Sequence, residues 1–329
     1  MDFVFILQQT IICAIPLLIV ALGGVFAERS GIINLALDGG MIFGAFIGAI
    51  VAKVIIASNP ALATNQGIFV LCMLVSAASG ALFSLLLSFS AIQLKADQTI
   101  SGTALNMLAP AIVCAFGLIF FDSEKIVSNG NFVILTSNYS PSFQPVFDSW
   151  AGGLFRLFLD KMFISTYICI VIFVLLSIWL YKSKIGTHLR ACGEHPQAAA
   201  SVGISVTKMR YLGTTISGAL AGLGGFVYIA TSAATTAENT VAGLGFLALA
   251  IMIFGNWNPL WIALGALLFG FLKCLGVLSA QIPFMADWGL PSYFYNIIPY
   301  VVVIAVLILT RKKSGCPKAE GIPYDASQR

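Results

Sequence analysis

Apolar residues run through this chain in long blocks separated by short polar breaks, and the block lengths predict membrane-crossing helices. The first block runs from Phe5 to Ala27, and three more run from Ile32 to Ala57, Gly67 to Ile92 and Thr99 to Phe121. Each is near the roughly 20 residues that a helix needs to cross a hydrocarbon core. A fifth block, Met162 to Tyr181, is followed by spans at about 208–230, 240–256, 259–280 and 291–310. The expected fold is therefore an all-α integral membrane bundle of about nine transmembrane helices, with eight to ten allowed. Residues 1–310 form one transmembrane domain, with an external segment at 122–161, a cytoplasmic loop at 182–207 and a cytoplasmic tail at 311–329. Within the external segment, Leu154, Phe155, Phe158 and Leu159 share one helical face and suit an interfacial helix.

Composition agrees with this reading. With 59% hydrophobic and 9% charged residues, the 329-residue chain lies far from the soluble norm of about 25% charged. The net charge of +4 is dispersed among apolar runs without a basic patch, which excludes nucleic acid as a partner. Asp2 precedes the first block and Arg29 follows it, so that block is a retained span with its N-terminus outside. Nine spans then place every basic residue in the cytoplasm except Lys53, Lys125, Arg156, Lys161 and Lys273, as the positive-inside rule requires. Trp179 and Tyr181, and at the other face Trp288, Tyr293 and Tyr295, suit aromatic belts. No cysteine is left outside for a disulfide, and His188 and His195 read as loop residues and not as metal ligands. No G-x-x-x-x-G-K-[ST] run and no nucleophile–base pair occurs, so the chain is expected to be no enzyme, with neither cofactor nor metal of its own.

The polar break between Trp179 and Tyr211 carries the most information. Glu194 is a candidate helix start, Pro196 falls in a first turn, Ala198 and Ala199 favour helix, and Gly203 supplies a stop. A helix of about two turns is marginal alone and forms by docking. The pattern Gly193-Glu194, Pro196, Ala198-Ala199, Gly203-Ile204 before a new span resembles the cytoplasmic coupling loop of ABC importer permeases. That resemblance implies that the helix near 194–203 seats in an ATP-binding subunit, with Ala198 and Ala199 in its cleft.

Polar residues inside spans are costly in hydrocarbon and usually face a bundle interior or a water-filled path. Asn34 and Asp38 lie four apart in the second span, where Asp38 is either a tether to a neighbouring loop or helix or a group lining the path. Thr99, Thr103 and Asn106 make a stripe in the fourth span, suited to interhelical hydrogen bonds or to substrate. Phe43 and Phe246 are candidate apolar walls for a base. Gly40, Gly44 and Gly48, and Gly218 with Gly222, recur every four residues and permit close helix packing. A partial echo of LALDGGMIFG at Leu35 in LALAIMIFG at Leu247 differs in spacing by one residue and reads as chance or a very weak repeat.

Taken together, GIINLALDGG after Glu28-Arg29-Ser30, DQTISGTALN from Asp97, RACGEHPQAA and FLALAIMIFGNWNP from Phe246 resemble the sugar and nucleoside branch of these permeases, within the wider branched-chain amino acid and ribose permease superfamily. They are most similar to its nucleoside-type second permease, and the similarity covers roughly residues 20–280. Asp38 departs from a family pattern that often has Glu, which shortens its reach. The resemblance implies a multi-pass protein of the bacterial inner membrane that forms half of a nucleoside path. It also implies a homologous second permease, a cytoplasmic ATPase holding ATP and magnesium, and an extracytoplasmic substrate-binding lipoprotein. Alternatives are a permease for a simple sugar such as ribose, an ion-coupled secondary transporter using Asp38, and a membrane enzyme or scaffold. The docking loop favours the first class, since a carrier has no need of an ATPase-facing helix.

Overall fold

In a computed structural model, residues 3–134, 162–233, 235–279, 291–309 and 315–325 are described. The interfacial face of Leu154, Phe155, Phe158 and Leu159 lies outside them, as do Trp288, the side chain of Tyr293 and Arg311–Lys313. The helices are α1 Phe3–Arg29, α2 Leu37–Ser58, α3 Gln66–Ser88, α4 Gln98–Phe121, α5 Ile164–Lys182, α6 Lys184–Glu194, α7 Pro196–Ser201, α8 Val206–Ser232, α9 Leu244–Phe254, α10 Pro259–Leu278 and α11 Ser292–Leu309. Two-residue strands β1 (Ile126–Val127) and β4 (Thr236–Ala237) pair antiparallel, as do β2 (Val133–Ile134) and β3 (Met162–Phe163).

Seven of the described helices, α1 to α5, α8 and α10, are long and apolar enough to cross a membrane. The chain is thus a polytopic all-α bundle. Helix α1 is its axis: 89% of its apolar window is buried, against 22% for α4, so α4 presents most of its surface outward. A helix apolar on all sides belongs in the interior, and α1 packs against α8, α10, α9 and α5. Helix α8 is the second hub and lies against α1, α2 and α3. Its glycines let the backbones close in. A Cβ on Gly44 would collide with the Gly222 backbone, and one on Gly222 would lie 2.9 Å from the Cα of Gly80. Gly40 meets Ala221, Gly48 meets Phe226 and Ser76, and Gly218 meets Ser84 and Gly80.

Two expected spans are corrected. The span at 240–256 is the 11-residue α9, about 16 Å long, roughly half of a 30 Å hydrocarbon core. Its first residues are broken by Ala242 and Gly243, both at positive φ, and the chain just before it by Thr235, also at positive φ, and by the pairing of β4 with β1. Helix α2 begins at Leu37 and not near Ile32, because Gly31 at φ +93 turns the chain and residues 32–34 are irregular. Hydropathy reads both stretches as continuous because their side chains are apolar while the interruption is in the backbone.

Candidate functional site

Both breaks leave helix N-termini whose first N–H groups need acceptors, and the bundle supplies them from other helices. Ala36, which precedes α2, offers no side-chain cap. Asn106 of α4 takes over, its Oδ1 accepting from Gly39 N at 2.7 Å while its Nδ2 donates to Leu35 O at 2.7 Å. Asp38 of α2 in turn caps α9, accepting from Gly245 N at 2.9 Å. Both helix dipoles favour a carboxylate there. The approach is close, for a Cβ on Gly245 would lie 2.7 Å from that of Asp38. Behind this junction Asn34 is buried, donating from Nδ2 to Ser217 Oγ at 2.8 Å and accepting from Ala36 N. The turn ahead of α9 is held by Tyr300, whose hydroxyl donates to Ala242 O at 2.6 Å, and by Thr240, which accepts from Ala242 N.

The structure therefore gathers Asn34, Asp38 and Asn106 at one junction, with Phe246 next to it and 48% exposed. Asp38 of α2 hydrogen-bonds across to the backbone of α9. Phe43 is stacked on Phe83 at 5.1 Å, and Thr103 bonds back to Thr99 O and Ile100 O of its own helix. Thr99 and Thr103 stay on the exposed face of α4, while Asn106 turns toward α2. Gly245, Tyr300 and Ser217 were not singled out from sequence. The signal that pointed to the junction was the polar residues Asn34, Asp38 and Asn106 inside apolar spans, which could not name these three partners.

A second surface forms at the opposite end of the long helices from the β1–β4 pair. The polar break is mostly helical. Ser183 caps α6 by accepting from Gly186 N, and α6 continues through Glu194, so Glu194 closes one helix and does not start the next. Helix α7 is six residues long, with Pro196 first and His195 as an N-cap without a side-chain bond. Its stop is Gly203, at φ +87, where a Cβ would meet nothing within 4 Å, so the residue is required by backbone conformation and not by space. Ala199 is 4% exposed and packs with Cys192 and Val206 of its own chain, whereas Gln197, Ala198 and Ser201 face outward. Placing both alanines in a partner's cleft is thus corrected: helical periodicity turns adjacent residues about 100° apart, and only Ala198 is presented.

Residues 315–325 fasten this end together. Ala319 N donates to Gly193 O at 2.9 Å, Gly321 N to Gly31 O, Gly315 N to Asn256 Oδ1, and Arg210 Nη1 to Ile322 O at 3.0 Å. Asp325 pairs with Lys95 at 3.2 Å. Glu28 accepts from the Trp257 indole N–H at 2.5 Å, and its carboxyl is hydrogen-bonded to that of Glu320. Burial pushes the Glu320 carboxyl above its ordinary range, against the pull of its bonds to Cys316 and Glu28 and of the nearby Arg29 charge. Burial likewise pushes the Cys192 thiol up to about 11, opposed by Arg210. Arg29 and Glu194 lie 3.7 Å apart. Among the described residues no three His, Cys, Asp or Glu side chains group as metal ligands.

Residues 6–307 match the family described as branched-chain amino acid transport system / permease component. Over 100% of both chains the sequence is 35% identical to the guanosine ABC transporter permease protein NupQ of Bacillus subtilis. It is 36% identical to the nucleoside ABC transporter permease protein NupC of Lactococcus lactis, over 98% of this chain and 97% of the relative. A putative glucose ABC transporter permease protein, TsgC13 of Haloferax volcanii, is 28% identical over 92% of this chain and 90% of its own. No solved structure matches significantly. Matched along nearly its whole length by a family of permeases, and built as a bundle of long apolar helices, this chain belongs to the branched-chain amino acid transport system / permease component family: it is a multi-pass permease subunit of an ABC importer and not the catalyst of ATP hydrolysis.

Proposed function

We propose that this permease carries nucleosides inward across the bacterial inner membrane as one half of a paired translocation path. The observation that carries this reading is the end-to-end similarity to two permeases named for guanosine and for nucleosides. The junction of α2, α4 and α9 agrees with neutral cargo. Its carboxylate and amide are engaged by backbone N–H groups, and Phe246 offers an exposed ring beside them on which a base could stack. The chain crosses the membrane nine times in this reading, with α9 and the broken segment before it counted as one crossing and α11 as the last. Its N-terminus is then outside and its C-terminus cytoplasmic. A homologous second permease completes the path, and an extracytoplasmic binding lipoprotein delivers the nucleoside. A separate ATPase holding ATP and magnesium seats α7 through Ala198, with Glu194 and Pro196 setting the entry to that helix, Ala199 supporting it from beneath and Gly203 ending it.

Coexpression with neighbouring ATPase, second-permease and binding-protein genes, followed by reconstitution in liposomes, tests the whole assignment. Guanosine or another nucleoside should stimulate ATP hydrolysis and be accumulated, while ribose and glucose should not. Stimulation by a simple sugar alone would transfer the reading to the sugar branch, which the glucose-named relative represents. Accumulation by this chain alone, driven by an ion gradient without ATPase, would overturn it.

A further inference from the structure

A groove of about 660 Å³ opens at the α6–α7 end of the bundle, between the C-terminal turn of α5 and the α9–α10 connection. Its walls are tied together, because the Tyr181 hydroxyl of α5 donates to the Trp257 carbonyl of the connection. Arg29 and Lys182 both line it. Lys182 is exposed and enters no ion pair among the described residues. Arg29 is held on its other side by carboxylates, with Nη1 3.7 Å from Glu194 and the Glu28 and Glu320 carboxyls nearby, and its covered Nε has no acceptor among the described residues. The hydroxyl of Ser177, also in the lining and also buried, is likewise without a partner. Arg190, outside the lining, stacks over Tyr181 at 5.1 Å from the ring centre and brings a further positive charge near the groove. The mouth is apolar: Leu260 is 77% exposed and Trp261 57%.

These features specify an anion that carries hydrocarbon. The exposed Lys182 ammonium in the groove wall, with the Arg190 guanidinium stacked on neighbouring Tyr181, calls for phosphate-type oxygens. The apolar mouth, on helices with lengths suited to a bilayer, calls for acyl chains. Basic pockets between transmembrane helices meet both demands with anionic headgroups, and an exposed tryptophan suits the headgroup level. We propose that this groove binds the headgroup of an anionic phospholipid, such as phosphatidylglycerol, in the leaflet at the α6–α7 end. Such a lipid would lie directly beside the Arg29–Glu194 pair, where the α1–α2 turn meets the segment leading into α7.

The full-length permease, purified in a mild detergent, should retain phosphatidylglycerol over phosphatidylcholine in native mass spectrometry. Lys182→Gln should lower that retention about fivefold, corresponding to the typical contribution of one basic residue near an anionic surface. Lys53→Gln, at the opposite end of the bundle, should leave it unchanged. Inorganic phosphate and the free glycerophosphoglycerol headgroup should fail to displace the lipid at equal concentration. Equal retention of the two lipids, or an unchanged preference in Lys182→Gln, would overturn the proposal. Displacement by inorganic phosphate at equal concentration would do so too, by showing a free-anion site. The readout is lipid retention and not transport, so its outcome is independent of the nucleoside assignment.

Discussion

At Asp38 one carboxylate stands where the N-termini of two helices converge, and its observed partner is the backbone of Gly245. A hydrogen bond to a charged group typically contributes about 1.5–3 kcal/mol when its loss leaves the partner unsatisfied. Asp38→Ala should therefore lower the thermal stability of the purified permease, while Asp38→Asn, which keeps an acceptor oxygen, should recover most of it in the same melt. Equal destabilisation by both would mean that the charge itself is required. The sequence marked Asp38 and Asn106 as costly polar groups inside spans but could not name their partners, which lie 207 and 67 residues away in the chain. The same limit applies to Ala199. Alanine at two neighbouring positions looks alike in sequence, and only burial against Cys192 and Val206 separates the inward residue from the outward one.

That separation becomes a prediction at the level of α7. Ala198→Trp adds bulk on the outward face and should yield a normally inserted permease that no longer copurifies with its ATPase. Ala199→Glu forces a charge into the contact with α6 and α8, and should reduce thermal stability of the isolated permease before any partner is present. Retained ATPase and full transport in Ala198→Trp would remove α7 from the coupling role. Between long helices the critical element is the α2–α3–α8 contact. Gly44→Ala meets the Gly222 backbone, which has no flexible side chain to move aside. Overpacking of this kind costs typically about 1–3 kcal/mol, so its melting temperature should fall more than that of Gly203→Asn, where space is open and asparagine tolerates the left-handed backbone.

Across the whole molecule, residues 315–325 bond to the α1–α2 turn, the end of α6, the start of α8 and the α9–α10 connection, and so link four separate parts of that end. Glu320 makes this fastening pH-dependent. Its carboxyl, facing Glu28, Arg29 and Cys316, is raised above the ordinary glutamate value, so the docked tail holds a proton more tightly than a free tail. Docking is therefore strongest below the ordinary value of about 4.3 and weakens as pH rises through the raised one. Hydrogen-exchange protection factors for residues 315–325 should be higher at mildly acid than at mildly alkaline pH, and Glu320→Gln should flatten the difference. In the proposed topology this end is cytoplasmic, so in intact cells a cysteine at Ser201 should resist a membrane-impermeant thiol reagent and one at Thr64 should react. Cys192 cannot serve as that probe, because it is fully buried.

The sequence by itself determined the class of molecule, the approximate positions of the long helices and the location of the short helix α7. Each of these depends on local chemistry: a run of apolar side chains about 20 residues long suits hydrocarbon wherever it lies in a bundle. Proline at a first turn and glycine at a left-handed stop act within a few residues of themselves. Only the tertiary structure decided that α9 is half a crossing, that Asn106 and Asp38 cap helices other than their own, that Ala199 faces inward and that the tail fastens one end of the bundle. Those features depend on which backbone N–H groups are left unpaired after the helices pack, and on which distant side chain then lies within reach.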